Sequence, residues 1–135
     1  MKLLTDGTLR INTSRPKPTV IRVDWLGRSE QRFPGEALNP FLAGLLSDAQ
    51  ASNAEIDMHF EGLDFFNSST VTVLIHFLQQ TSAARVRLTF RYLPTRRWQK
   101  LSFEALRVFE HVAHMVHVVP VSDASAGSSV NVPVT

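Results

Sequence analysis

Three consecutive hydroxyl side chains, Ser68, Ser69 and Thr70, follow Asn67 at the start of an apolar, periodic segment. Asn or Ser at such a position typically caps the first free N–H groups of a helix, and a helix N-terminus carries about half a positive charge. A phosphate on any of the three hydroxyl groups would therefore meet N–H donors and a favourable dipole. The pattern is compatible with a phosphorylation site and also with a plain helix cap.

The helix that follows has two apolar sides. At about 100° per residue, one side is predicted to face the core, and it consists of Val71, Leu74, Ile75 and Leu78. Val73 and Phe77 fall on the far side, next to the hydroxyl cluster. An exposed apolar pair there would be a docking surface for a protein partner, together with Asn67, Ser69 and Thr70, whereas a neighbouring helix packed over the pair would remove that surface.

The three histidines His111, His114 and His117 do not predict a metal site. Positions three residues apart on a helix drift by about 60° per step, so three ligands converge poorly. No cysteine or carboxylate pair of the metal-site type lies nearby. We expect no metal and no other cofactor.

Basic residues are concentrated in one part of the chain, at Arg85, Arg87, Arg91, Arg96, Arg97 and Lys100. On a strand, the first three would point to one face. Nucleic-acid binding is an alternative that this pattern leaves open. A solvated sheet face, or a rim that meets an acidic partner, is favoured because the chain has no helix-turn-helix pattern and no row of aromatic residues on its strands.

No pattern typical of an enzyme is present. Asp57, His59 and Glu61 share one face of a predicted strand, which is usual for the exposed side of a sheet. With Asp64 they form no nucleophile–base–orienter arrangement, and the sequence has neither a P-loop nor a Gly-x-Gly-x-x-Gly motif. We expect a non-enzymatic protein.

The composition indicates a single soluble domain. The chain has 135 residues, 44% of them hydrophobic and 19% charged, with no cysteine and a net charge of +2. Disulfide frameworks, thiolate zinc sites and a strong field for polyanions are thereby excluded. No apolar stretch is long enough to span a membrane, and the first residues are too polar for a signal peptide. A cytoplasmic protein without a membrane partner is predicted.

The predicted elements alternate between strands and helices. Strands are expected at 19–26, 55–61, 86–90 and 115–121, and Leu9 and Ile11 alternate with polar residues as in a short edge strand. The first helix is predicted to start with Asn39 as its cap and Pro40 as its first residue, after a loop over 27–35. A second loop is expected at 62–66, before the helix at Ser68, and a third helix covers 98–112.

This order predicts an α/β fold with a mixed sheet of four to five strands and helices mainly on one face. The last strand should lie at an edge, because Pro120 cannot donate to a ladder. Leu38, Leu42, Leu45 and Leu106 are expected to join the core. Residues 1–121 form the predicted domain, and 122–135 a disordered C-terminal tail.

The order of elements and the segment IDMHFEGLDFFNSSTVTVLIHFL at 56–78 resemble the STAS domain of bacterial anti-sigma factor antagonists, over roughly residues 8–121. In that family the junction usually reads Asp-Ser-Ser-Gly, and Asn67 and Thr70 replace its first and last residues here. An asparagine before the hydroxyl residues is similar to a subgroup of STAS-like phosphoregulators, including biofilm-regulating phosphoproteins. The segment RWQKLSFEAL at 97–106 points to the same subgroup.

The resemblance implies a bacterial signalling protein that switches partners in the cytoplasm. Ser68 would be the phosphorylated residue, with Ser69 and Thr70 as alternatives. Its partners would be a cognate serine/threonine kinase with a histidine-kinase-type ATPase fold, a PP2C-type phosphatase, and one downstream target such as an anti-sigma factor, a cyclase or a kinase. A scaffold STAS domain in which Ser68 only caps the helix is the alternative reading.

Overall fold

The computed structural model describes residues 3–122. Residues 123–135, which make up nearly all of the predicted tail, lie outside the described part of the chain. Within residues 3–122, seven strands form one sheet. They are β1 (Leu3–Asp6), β2 (Leu9–Lys17), β3 (Val20–Ser29), β4 (Glu55–His59), β5 (Leu63–Phe66), β6 (Leu88–Tyr92) and β7 (Val116–Pro120).

The sheet is mixed, as predicted, and its strand order is β1-β2-β3-β4-β6-β7. The first three strands are antiparallel, whereas β3, β4, β6 and β7 run parallel. The short β5 pairs with the last residues of β3, beyond the point where β4 ends. β7 is an edge strand that ends in Pro120, which agrees with the prediction.

Three helices cross between the strands: α1 (Gly35–Ser52), α2 (Ser68–Ala83) and α3 (Arg97–Leu106), the last followed by a 3₁₀ segment (Arg107–His111). In register, Ile21, Ile56, Leu88 and Val116 form one apolar row across four strands, and Val23, Met58, Phe90 and Val118 form the next. The buried residues of all three helices join these rows in one core. The predicted α/β class, with helices mainly on one face, is confirmed.

The sheet has more strands than the four to five that we expected. Residues 63–66 were predicted to be a loop, but they form β5, because Leu63 and Phe66 are buried and the backbone pairs with β3. Leu9 and Ile11 belong to the nine-residue β2, which lies between β1 and β3 and is therefore not an edge strand. β5, with four residues, is too short for a periodicity to show.

The start of α1 also differs from the prediction. The helix begins at Gly35, with Pro34 as its cap residue, and Pro40 lies inside it. The Leu38 N–H donates to the Pro34 carbonyl at 2.9 Å, and Leu38 is fully buried. Burial of Leu38 thus favours a helix that begins four residues before the predicted start at Asn39. Pro40 is the sixth residue of α1, so it removes one helical hydrogen bond within the first two turns of the helix.

Leu38, Leu42, Leu45, Leu74, Leu78 and Leu106 are all buried, as predicted. Val71 and Ile75 are only partly buried at the edge of the core. The predicted third helix, 98–112, is divided: α3 ends at Leu106 and the chain continues as 3₁₀ helix to His111.

Candidate functional site

The junction between β5 and α2 is built from the end of one strand and the start of one helix. β5 is held in place by its pairing with β3, where Ser29 lies opposite Phe66. Phe66 packs its ring against Trp98 and Phe103, with centroids 5.0 Å and 5.5 Å away. The Asn67 N–H then donates to the Ser29 carbonyl at 3.0 Å. The strand therefore delivers the chain to the helix start in a fixed position.

Both ends of the Asn67 side-chain amide form hydrogen bonds at the start of α2. Its Oδ1 accepts hydrogen bonds from the Thr70 N–H at 2.9 Å and the Thr70 Oγ1 hydroxyl at 2.7 Å. Its Nδ2 donates to the Gln31 carbonyl at 2.9 Å. The backbone at Asn67 is extended, as expected for a cap residue. The amide therefore ties the loop before α1 to the start of α2, and a carboxylate could not make the donated bond.

Thr70 lies inside the protein. It has no exposed surface, and its Oγ1 is 2.7 Å from the hydroxyl oxygen of Ser29, which is also buried. A kinase could not reach this hydroxyl group in the folded chain. Thr70 is therefore wrong as an alternative phosphorylation site and as a residue that contacts a partner, because it belongs to the packing beneath the junction.

Ser68 and Ser69 are exposed and form the first two positions of α2. The first N–H groups of a helix have no partner one turn earlier. The Thr70 N–H is already bound by Asn67, so the donors next to an added phosphate would be those of Ser68 and Ser69. The structure thus offers two hydroxyl groups to solvent, with Asn67 half-buried behind them.

The predicted docking pair, Val73 and Phe77, is buried. Phe77 is 1% exposed and Val73 8% exposed. A methyl group placed on Gly35 of α1 would lie 3.6 Å from the Val73 side chain, so α1 closes over this side of α2. Assignment of Val73 and Phe77 to a partner surface is therefore wrong. The neighbouring helix covers the pair, which was the other reading of the same periodicity.

The segment before α1 supplies an exposed surface beside the junction that the sequence did not single out. Phe33 is 65% exposed, and the Arg32 guanidinium lies over its ring at 5.5 Å from the centroid. Gln31, Arg32 and Phe33 line one wall of an open depression of about 380 Å³. Because Asn67 binds the Gln31 carbonyl, this segment borders Ser68. Phe33 lay in a stretch that we expected to be a featureless loop, and no periodic pattern could have marked it.

A second group of polar residues lies on the helix-free face of the sheet. The His59 ring is 3.3 Å from an Asp57 carboxylate oxygen through Nε2 and 3.2 Å from Glu61 through Nδ1. The Arg91 Nε donates to Asp57 at 2.7 Å. Burial alone would lower the pKa of His59, but the hydrogen bonds and charges of Asp57 and Glu61 outweigh it and raise that pKa to about 9. His59 is thus a cation held between two carboxylates, which is a structural arrangement.

The arginine-rich segment does not form one basic face. β6 starts at Leu88, so Arg85 and Arg87 precede it, and Arg85 lies in a left-handed turn with φ of 60°. Arg87 is hydrogen-bonded to His117 at 2.9 Å, and Arg96 pairs with Asp64 at 3.0 Å. The expected shared face is therefore wrong for Arg85, whereas Arg87 and Arg91 contact His117 and Asp57 on the same face of the sheet.

The three histidines also lie apart. His111 ends the 3₁₀ segment, His114 lies in the following turn, and His117 faces Arg87 from β7. Among residues 3–122, no group of three or more His, Cys, Asp or Glu side chains is placed to hold a metal ion. No helix of the same residues is long and apolar enough to cross a membrane.

Comparison with known proteins is informative only at the level of structure. No protein-family model matches the sequence, and no curated protein sequence matches it. A solved structure described as the Bacillus cell fate determinant SpoIIAA in the phosphorylated form covers 90% of this chain and 99% of its own, at 15% identity and a TM-score of 0.54. This chain has a STAS-like fold. Another structure, of the anti-sigma factor antagonist SpoIIAA in its unphosphorylated form, covers 60% of this chain and 71% of its own, at 19% identity and a TM-score of 0.46.

Within this STAS-like fold, the two departures from the Asp-Ser-Ser-Gly junction contact each other. Asn67 and Thr70 share two hydrogen bonds, and Thr70 continues them to the buried Ser29. The threonine side chain occupies space that a glycine would leave empty. The substitutions therefore form one connected, electrically neutral network behind the two exposed serines.

Proposed function

We propose that this chain is a non-enzymatic signalling protein of the partner-switching type, similar to an anti-sigma factor antagonist, and that Ser68 is its phosphorylated residue. One observation carries the proposal. Ser68 is the first residue of α2 in a STAS-like fold and is exposed beside a neutral cap. The SpoIIAA structure that covers 90% of this chain is of a phosphorylated form.

The cap at Asn67 favours addition of phosphate to Ser68. A carboxylate at position 67 would place a negative charge next to the incoming phosphate, and two such charges a few ångströms apart repel each other. The amide of Asn67 holds the helix start without that charge. Phosphate on Ser68 then lies at the positive end of the α2 dipole.

We propose that the partner surface consists of Ser68 and Ser69, with Asn67 behind them and Phe33 and Arg32 beside them. An exposed aromatic ring next to the switch residue gives a partner an apolar contact. Phosphorylation adds about two negative charges at its border, which weakens binding to one partner without refolding the domain. The proposed partners are a serine/threonine kinase with a histidine-kinase-type ATPase fold, a PP2C-type phosphatase and one downstream target protein.

Phosphorylation in vitro tests this proposal. Each serine kinase of the histidine-kinase-type fold from the same genome is incubated with the chain and ATP, and the intact mass and phosphopeptides are measured. We expect one added phosphoryl group on Ser68, its loss in Ser68→Ala, and its retention in the matched control Ser69→Ala. Phosphate on Ser69 would overturn the assignment. No phosphate with any of these kinases would favour the scaffold function.

A binding measurement separates the surface from the switch. Phe33→Ala should weaken the complex with the kinase that phosphorylates the chain by about tenfold, as expected for an exposed aromatic anchor, and should leave the melting temperature unchanged. Ser68→Asp should weaken the complex only partly, because a carboxylate carries less charge and fewer acceptors than a phosphate. Unchanged binding of Phe33→Ala would remove Phe33 from the proposed surface.

A further inference from the structure

An exposed apolar row runs along α3 and the 3₁₀ segment after it. It comprises Leu101, Ala105, Val108 and Val112, which we call the α3 row. Leu101, Val108 and Val112 are 62%, 61% and 76% exposed, and Ala105 is exposed as well. Of the five large apolar side chains that are most exposed within residues 3–122, these three lie within twelve consecutive positions, on α3, on the 3₁₀ segment and directly after it. An exposed cluster of this kind marks an interaction site more often than single exposed residues do.

Leu101, Ala105 and Val108 have the spacing of a helix-packing seam. They are four and three residues apart, so they lie close together on one side of the helix. Val112 follows the 3₁₀ segment as its cap residue and extends the row to the groove described next. The buried residues of α3, which are Gln99, Phe103 and Leu106, attach its other side to the core. The α3 row is therefore a second apolar face on a helix whose first face is already satisfied.

A groove next to the row gives a partner helix room to approach. The end of α2 and the 3₁₀ segment enclose an open groove of about 350 Å³, and Val112 of the row forms part of its lining. The α2 wall presents Ser82 and Ala83, which are small, together with Gln79, and Leu78, Phe109 and Ala113 give the rest of the lining. Small residues on one wall let a helix approach closely.

Charge around the row is mostly positive. Arg97, Lys100 and Arg107 are all exposed along this segment. The Glu110 carboxylate accepts a hydrogen bond from the Val118 N–H at 2.7 Å and lies 3.8 Å from Arg107, whose charge it partly balances. On the segment 97–110, Glu104 is then the carboxylate that is left at the exposed rim. A partner that complements this rim carries carboxylates beside its apolar residues.

We propose that the α3 row and its groove dock an amphipathic helix of a partner protein whose apolar seam is flanked by Asp and Glu. A second copy of this chain fits less well, because two basic rims would face each other. A bilayer fits less well because the row is narrow and has no Trp or Tyr.

This surface is independent of the proposed switch. Ser82 and Ala83 lie at the far end of α2 from Ser68, about 20 Å away at the rise of an α-helix. A helix docked in the groove leaves Ser68 free, so the protein can hold one partner at each end of α2. Failure of the phosphorylation test would leave this proposal intact.

Two synthetic peptides test the proposal with the whole chain. Both are amphipathic helices with leucines at alternating three- and four-residue spacing; Glu flanks the seam in one peptide and Lys in the other. Binding is followed by fluorescence anisotropy, and the site is mapped by amide chemical shifts. We expect the Glu peptide to bind at least about tenfold more tightly than the Lys peptide and to shift the amides of 78–83 and 101–113.

Variants assign the binding to the row. Val108→Gln and Val112→Gln should each weaken binding of the Glu peptide severalfold, and Lys100→Glu with Arg107→Glu should reverse the preference between the peptides. The matched control is Leu3→Gln, because Leu3 is equally exposed, at 67%, but lies on β1. Equal affinity for the two peptides, or shifts confined to other residues, would overturn the proposal.

Two further measurements decide against other occupants. Light scattering over a range of concentrations should report a monomer, and a dimer lost in Val112→Gln would assign the row to self-association instead. Sedimentation with vesicles of phosphatidylglycerol should leave the protein in solution, and co-sedimentation that Val108→Gln abolishes would assign the row to a membrane surface. Either result would overturn the proposed partner helix.

Discussion

Asn67 holds the junction through three hydrogen bonds, two accepted from Thr70 and one donated to Gln31. Of the twenty residue types, only Asn and Gln combine an acceptor and a donor in one side-chain amide, and Asn has the short reach that a cap requires. The amide at position 67 therefore makes a contact that a carboxylate could not make. The donated bond fixes the loop that carries Phe33.

Substitutions at Asn67 should separate the cap from the loop contact. Asn67→Ala removes all three bonds, and we expect it to lower the free energy of unfolding by about 1–2 kcal/mol. Asn67→Asp keeps the acceptor and gains a favourable interaction with the helix dipole, so its loss should stay below about 1 kcal/mol. Urea denaturation measures both values. Equal losses in the two variants would show that the Gln31 contact dominates and that the cap adds little.

At the scale of elements, α2 is wedged between the sheet and α1. Its buried stripe is Thr70, Val73, Leu74, Phe77, Leu78 and Thr81, which is rotated by about 80° from the face that the sequence predicted. The periodicity of Val71, Leu74, Ile75 and Leu78 was genuine, but it described one boundary of the buried surface. Contact with α1 moves the centre of that surface toward Phe77.

This packing predicts that Phe77 supports the fold. Phe77→Ala should lower the free energy of unfolding by about 3–5 kcal/mol, because it removes a fully buried ring and leaves a cavity. Ile75 is partly buried and lies on a different side of α2, so Ile75→Ala should lower the free energy of unfolding by less than half as much. Thermal or urea denaturation of the two variants checks the order. A larger loss in Ile75→Ala would restore the rotation that the sequence predicted.

Gln99 anchors α3 from inside the core. Its Nε2 donates to the carbonyls of Phe60 and Leu63 at 2.6 Å and 3.0 Å, and its Oε1 accepts from the Leu93 N–H at 2.7 Å. The side chain is fully buried. It therefore binds two carbonyl groups at the turn that leads into β5, the strand that positions Asn67, and one N–H group just after β6.

Replacement of Gln99 should lower the free energy of unfolding more than replacement of most polar residues does. Gln99→Met keeps the volume but takes the partner of the Leu93 N–H and one hydrogen bond each from the Phe60 and Leu63 carbonyls, and we expect a loss of about 2–4 kcal/mol. Lys100→Met, one position away and exposed, serves as the control and should change stability by less than about 0.5 kcal/mol. Chemical denaturation measures both. Similar values for the two variants would mean that water replaces the Gln99 contacts.

The sequence was sufficient for those elements that are long and periodic. Leu38, Leu42 and Leu45 marked α1, and alternation marked β3, β4 and β6, which together with the element order predicted the α/β sheet. Four-residue strands such as β5 leave no such trace, and the start of α1 depends on how Leu38 packs. Exposure of Ser68 followed from its position in the motif, whereas burial of Thr70 depends on Ser29, forty-one positions earlier.

At the scale of the whole molecule, the sheet divides the protein into an apolar side with the helices and a charged side without them. On the charged side, Arg22 pairs with Asp24 at 3.0 Å and Arg91 with Asp57 at 2.7 Å, and His59 lies between two carboxylates. Pairs of opposite charge balance each other across three neighbouring strands. This explains how many charges can lie close together on a half-buried face.

The charged face predicts how stability depends on pH. The pKa of His59 is raised from 6.5 to about 9 in the folded chain, so its contribution is fully present below pH 6.5 and is lost as the pH rises toward 9. The pKa values of Asp57 and Glu61 are lowered in the folded chain. These two carboxylates therefore stabilise the fold at a pH above their pKa values in the unfolded chain, and this stabilisation is lost in acid. Stability from this cluster is therefore greatest in weakly acidic solution.

His59→Gln should remove the alkaline part of this dependence. We expect it to lower the free energy of unfolding by about 1–3 kcal/mol at pH 6, with a smaller difference from the wild-type chain at pH 9.5. His76→Gln, on the exposed side of α2, is the matched control and should follow the wild-type profile. Melting curves of the two variants and the wild-type chain between pH 6 and pH 9.5 measure these differences. A constant difference between His59→Gln and wild type would show that His59 acts through packing alone.

β3 pairs with three strands, because β2 and β4 flank it and β5 joins its last residues. Because β3 is paired along both of its edges, its amides are all freed only when the strands on both sides separate from it, which opens most of the domain. In native-state hydrogen exchange, the amides of Ile21, Val23 and Trp25 should be among the slowest to exchange, whereas those of β1 at the edge should exchange first. After transfer of the protein into D2O, the amide proton signals that persist longest would then trace a single strand from Ile21 to the junction that holds Ser68.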